Sequence, residues 1–290
     1  MKTKLIALAV TALALVLSSC SADEAKDTDG KKPVSQSKDT KQETNKEQEQ
    51  TSTNHASDPV STDSTAAEDD DAAPKSNLTQ DEVITKVKDE LKMKNTALPS
   101  SFPLEKSRQL SASIEENEDQ SYKVVFFETK GSVPINDDSL TPDGNVPIAA
   151  TVSAKTYQDA KSAAETFSDM NLDSIPEDMQ VDLGHGIKGM EEGGAGHHHL
   201  SWQEGKWILH IDTISEDQMD NAGIAKVMVN YLEDDMLPAP KDHGRVEAVY
   251  KPGGKSVHNV LSWQEGPVIY RIETDKVPLD ALKMAVSVNP

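Results

Sequence analysis

A hexapeptide occurs twice in this chain of 290 residues. Leu200-Ser201-Trp202-Gln203-Glu204-Gly205 returns letter for letter as Leu261-Ser262-Trp263-Gln264-Glu265-Gly266. The flanks agree in pattern: Gly193-Gly194 and His197 stand upstream of one copy, Gly253-Gly254 and His258 upstream of the other. Downstream, Lys206 to Thr213 (KWILHIDT) matches Pro267 to Thr274 (PVIYRIET). Each copy reads as strand, tight turn, strand. The glycine that ends Gln-Glu-Gly can take a positive φ without steric cost, as a type I turn with a G1 bulge requires.

A helix pattern follows each hairpin. Ser215-Glu216-Asp217-Gln218 reads as a capping box, ahead of Ala222, Ala225, Met228, Val229 and Leu232. In the second copy Pro278 stands at a helix start, where its missing N–H costs nothing, ahead of Leu279, Leu282, Met284 and Val286. A strand precedes each hairpin, Gln180 to Leu183 in one copy and Arg245 to Lys251 in the other. The unit is β-β-β-α, over 179–235 and 244–290.

A degenerate third unit is expected within 78–178. Gln109 to Glu115 and Ser121 to Thr129 form a hairpin pattern, Ile148 to Lys155 a strand, and Thr156 to Met170 a helix. Ahead of them Thr79-Gln80-Asp81-Glu82 is another capping box, with Val83, Val87 and Leu91 at helical spacing to about Lys94. Val124 to Phe127 (VVFF) is apolar on both faces, so that strand should be central and covered on both sides. The fold class expected is α+β: an antiparallel curved sheet of tandem β-β-β-α units with helices on one face, preceded by a disordered tether. The Trp-Gln-Glu-Gly hairpin and its helix resemble the curved-sheet domains of envelope proteins related to lipoprotein carriers and sigma-factor regulators, over roughly 30 residues per copy. That resemblance implies a fold and no function.

Residues 1–19 have the form of an export signal. Lys2 and Lys4 precede an apolar run of 13 residues from Leu5 to Leu17, broken only by Thr11. A membrane-spanning helix needs about 20. Leu17-Ser18-Ser19-Cys20 then resembles the lipobox of bacterial lipoproteins. The resemblance implies cleavage before Cys20 and a diacylglyceryl group on its sulfur. Two acyl chains hold a protein on a membrane where one is marginal. Cys20 is the chain's single cysteine, and an unmodified exposed thiol would be a liability outside a cell. The expected location is a cell membrane, lipid-anchored, on the extracytoplasmic side.

Residues 21–77 hold no Trp, Phe, Tyr, Leu, Ile or Met, and 14 acidic residues against 7 lysines. Such a segment cannot bury enough apolar surface to offset the entropy of ordering. Together with Cys20 it is read as an acidic tether, 20–77, with an r.m.s. span of about 40 Å. Residues 78–290 carry 36 acidic and 20 basic residues, a net of −16. That balance argues against nucleic acid as a partner.

The residues able to carry chemistry are few. Gly196-His197-His198-His199 is the most suggestive cluster, since neutral imidazoles ligate zinc, nickel or copper. Along a strand His197 and His199 share one face and His198 joins that of Leu200 and Trp202. His185, His210 or His258 could complete a metal site, with solvated strand histidines as the plainer reading. Trp202, Trp207 and Trp263 are all of the tryptophans. They could line a groove for a lipid, glycan or peptide, with hairpin core as the plainer reading.

No catalytic motif is present: no nucleophile elbow, no His-Glu-x-x-His and no phosphate loop. No cofactor is implied. Gly184 to Gly189 reads as a flexible turn between strands, and Asp137-Asp138 and Asp143 as part of a polar loop. The expected function is a non-enzymatic binding or interaction module for an envelope protein, glycan or hydrophobic ligand. The alternative is a metal-binding lipoprotein built on His197 and His199.

Overall fold

The computed structural model describes residues 78–167 and 172–288. The signal segment, Cys20 and the tether lie outside the described residues. Ten strands form one open sheet: β1 (Gln109–Asn117), β2 (Ser121–Thr129), β3 (Ile148–Thr156), β4 (Gln180–Gly184), β5 (Ile187–Gly194), β6 (His197–Glu204), β7 (Trp207–Ile214), β8 (Gly244–Tyr250), β9 (Val257–Glu265) and β10 (Val268–Thr274). Four helices accompany them: α1 (Gln80–Glu90), α2 (Ala160–Ala164), α3 (Asn221–Leu232) and α4 (Pro278–Val286). None of the described helices is long and apolar enough to cross a membrane.

The strand order is β1-β2-β3-β10-β9-β8-β7-β6-β5-β4. The class is α+β, but the sheet is mixed rather than antiparallel, because β7 and β8 run parallel. The cause is α3: a helix between two neighbouring strands carries the chain back to the end it left, so the next strand starts in the same direction. The identical hexapeptides sit at the ends of β6 and β9, and each hairpin leads to a helix, α3 or α4. The 78–178 segment joins the same sheet through antiparallel pairing of β3 with β10. Its last strand thus meets the last strand of the second copy, which a simple head-to-tail series would not produce.

Local chemistry accounts for most of the elements and for several corrections. Thr79 and Glu82 make the expected capping box, and α1 stops at Glu90 rather than near Lys94. Glu204 pairs with Trp207 and Glu265 with Val268, so each repeated hairpin closes through two residues. Gly205 (φ 60°) and Gly266 (φ 62°) take the first central position. This is the type II′ pattern rather than a G1 bulge, and it leaves the second central position open to Pro267. The Ser215 capping box does not form. Asp217 accepts a hydrogen bond from Gly253 N instead, and Asp220 caps α3 by accepting from Gly223 N.

The Gly184 to Gly189 stretch holds the expected turn between strands, in a shorter span than expected. His185 and Gly186 both have positive φ and turn β4 into β5. The first copy therefore has one strand more than the second. Three glycines in β5 hid its alternation. Gly189 is small for a reason, since a Cβ there would come within 2.8 Å of Leu200 Cδ1.

The main core lies between one face of the sheet and α1, α3 and α4. Val83 and Val87, Ala225 and Met228, and Leu282 and Ala285 pack there with the inward residues of the strands. Helix α2 is on the other side, so the helices do not share one face. Trp263 points into the core, and its neighbour Gln264 points away and donates to Ala160 O (2.7 Å). The VVFF strand is covered on both sides: Val124 and Phe126 face the main core, while Val125 and Phe127 pack with Leu140 in a small second cluster. It is not central, however, but second from the sheet edge, because the small Leu140 cluster rather than a deep position in the sheet covers its outer face.

Candidate functional site

Alternation along the strands divides the sequence-predicted site residues between two faces. The three tryptophans point into the core and are 0–4 % exposed. Trp207 and Trp263 lie 6.2 Å apart by ring centroid, and Tyr270 stacks on Trp263 at 5.3 Å. Trp207 Nε1 donates to Pro238 O (2.9 Å). Trp207 borders an open surface cavity of about 460 Å3, lined also by Leu232, Met236, Leu237, Pro238 and Pro240.

The histidines divide as their alternation requires. His198 lies on the core side, its Nε2 3.0 Å from Glu191. His197 and His199 lie on the opposite face and stack on one another at 5.8 Å, and His199 stacks on His210 at 5.3 Å. His197 Nδ1 donates to Asp212 (2.7 Å), and His199 Nδ1 stands 3.5 Å from the same carboxylate oxygen. His185 is remote, bonded to Asn230 on α3. His258 is also apart, held by Asp275 (2.7 Å). Among the described residues no group of three or more His, Cys, Asp or Glu side chains has the geometry to hold a metal ion.

Ser201 Oγ and His210 Nδ1 share a hydrogen bond of 2.8 Å. The pair does not form a nucleophile. Ser201 is 1 % exposed, and the nearby carboxylate of Asp212 orients His197 instead of His210. Burial pushes the His210 pKa below the ordinary imidazole value, with His199 and Arg245 acting in the same direction. A neutral His210 fits its place beside Ser201.

The same open face holds a cavity of about 350 Å3, bordered by Tyr157 and by Thr166 and Phe167 just after α2. Sequence reasoning did not single out its charged residues. Lys123, Lys155, Arg245 and Arg271 line it, against two carboxylates, Glu116 and Glu247. The strand register places three of these cations in one row. Lys123 pairs with Ser153, Ser153 with Arg271, Arg271 with Ser262, and Ser262 with Arg245. Five adjacent strands thus present cation, serine, cation, serine, cation. Strands lie about 4.8 Å apart, so neighbouring cations rise about 10 Å apart at their backbones, with short serines between them.

Comparison with family models, curated proteins and solved structures finds no match to this chain.

Three of the four cations have partners. Arg271 Nη2 donates to Glu273 (2.9 Å), and Arg245 Nε lies 3.1 Å from Glu247. Lys155 Nζ stands 5.3 Å over the Tyr157 ring. A signal for the row was present in the repeated hairpin sequence. Position for position, Ser201 and His210 of the first copy correspond to Ser262 and Arg271 of the second. Met190 pairs with Ser201 as Arg245 pairs with Ser262. One copy carries Met and His where the other carries two of the chain's three arginines.

Proposed function

We propose that the protein is a lipid-anchored extracytoplasmic binding module, held at a cell membrane through Cys20, that takes its ligand on the sheet face opposite α1, α3 and α4. The observation that carries the binding reading is the cavity of about 350 Å3 on that face. It has a polar floor of serines and cations and an aromatic border of Tyr157 and Phe167. The opposite face is spent on the core. Binding is favoured over catalysis because the Ser201–His210 contact is buried and Asp212 is committed to His197.

Support for the anchor comes from Leu17-Ser18-Ser19-Cys20 and its apolar run. The acidic residues 21–77 would hold the sheet off a lipid surface. The two hairpin-helix copies are read as a duplicated β-β-β-α unit in a curved sheet, with β4 added to the first copy.

Metabolic labelling of cells with an alkyne fatty acid tests this reading. The full chain is expected to take up label and partition with membranes, and Cys20→Ser is expected to abolish the label. Equal labelling of the Cys20→Ser protein would overturn the anchor.

A further inference from the structure

Resting on the binding reading above, we infer that the open-face cavity takes a small hydroxylated organic anion carrying two or more carboxylate or phosphate groups. Charge is the first argument. Residues 78–290 carry 36 acidic and 20 basic side chains, yet the cavity collects four cations against two lining carboxylates, with Glu273 beside Arg271 as a third. A surplus of cations on a partly enclosed floor favours an anion among them.

The duplication supplies the second argument. The first copy folds the same hairpin with Met190 and His210 in the places of Arg245 and Arg271. The scaffold therefore does not need arginine there. A guanidinium offers five N–H donors in a planar fork, suited to carboxylate and phosphate oxygens. Arg271 is half-exposed, lines the cavity and uses Nη2 on Glu273, one bond from a fork of five donors.

The row geometry sets the kind of anion. Lys123, Arg271 and Arg245 alternate with Ser153 and Ser262, so anionic groups over the cations would bring the body of the ligand over two hydroxyls. Serine hydroxyls both donate and accept, which suits hydroxyl groups on that body. Tyr157 and Phe167 add aromatic carbon at the cavity border for the C–H side of that body. The volume lies at the small end of the range for ligand pockets, about 300–1,000 Å3. The acidic surroundings, net −16 over 78–290, would repel a long polyanion extending beyond the cavity.

Calorimetric titration of the full-length protein in detergent tests this, with citrate and glucose 1,6-bisphosphate as probes and glucose and polygalacturonate as controls. Citrate or glucose 1,6-bisphosphate is expected to bind, more weakly as salt rises, and the tighter of the two identifies carboxylate or phosphate as the preferred group. Arg271→Gln and Lys123→Gln, each with an unchanged melting temperature, are expected to weaken binding about tenfold, as loss of a hydrogen bond to a charged group does. Binding of glucose as tight as that of the anions would overturn the inference, as would anion binding indifferent to Arg271→Gln, tighter binding of polygalacturonate, or no binding of either anion at millimolar concentration. Each of these failures leaves the anchor untouched, because fatty-acid labelling of Cys20 reads it separately.

Discussion

Truncation of Trp263 to alanine is expected to lower stability by about 3–5 kcal/mol, the usual cost of removing a large aromatic from a packed core. Trp263 is 1 % exposed and stands between Trp207 and Tyr270. These three rings come from β9, β7 and β10, so they join the parallel β7–β8 seam to the second hairpin. Gly244, facing Trp263 in the register, has no side chain to move into the vacated space. For a body of about 200 residues each kcal/mol shifts the melting temperature by about 2–4 °C, so a fall on the order of 10 °C is expected by circular dichroism. Trp263→Phe should retain much of the stability. A fall of under about 1 kcal/mol for the alanine variant, within the range of ordinary substitutions, would contradict the placement of this ring.

Gly244→Ala should destabilise the protein by about 1–3 kcal/mol through overpacking. A Cβ at Gly244 would stand 2.4 Å from Trp207 Cδ2 and 2.7 Å from Cε2 and Cε3. The ring cannot retreat freely, because its Nε1 is bonded to Pro238 O and its other neighbour is Trp263. Gly193→Ala is the matched control: it is also a strand glycine, and a Cβ there would meet nothing within 4 Å. That variant should stay within about 0.5 kcal/mol of the parent. Equal denaturant midpoints for Gly244→Ala and the parent would show that Trp207 does not pack on β8 as described.

The hairpins were legible because their signals are local. Alternation in KWILHIDT and PVIYRIET and the glycine after Gln-Glu set strand, turn and strand without help from distant contacts. The third hairpin, Gln109 to Thr129, was found the same way. The parallel β7–β8 pair was not legible, since strand neighbours depend on which apolar edges meet, and no local pattern states that. Strand β5 was missed because Gly189, Gly193 and Gly194 blank its alternation. Helix α2 was read on the common face although Gln264, beside Trp263, had to point away from the core.

The candidate site divides along the same line. Alternation placed His197 and His199 on one face and His198 on the other, as the structure has them. It did not say that Asp212 would hold His197 and stand close to His199, because that depends on the β6–β7 register. The Lys123, Arg271 and Arg245 row joins residues 148 positions apart in sequence, and only the meeting of β3 with β10 brings them together. Comparing the two copies for charge rather than identity would have isolated Arg245 and Arg271.

The central claim is that the face opposite α1, α3 and α4 is where a ligand is taken, through the cation row. The chain has only three arginines, Arg108, Arg245 and Arg271, so side-chain nitrogen-15 NMR of arginine-labelled full-length protein reads the claim almost residue by residue. On titration with the anion that binds in calorimetry, the Nε–H signals of Arg245 and Arg271 are expected to move together while that of Arg108 stays fixed. Stationary Arg245 and Arg271 signals at saturating ligand, or an equal shift of Arg108, would contradict it.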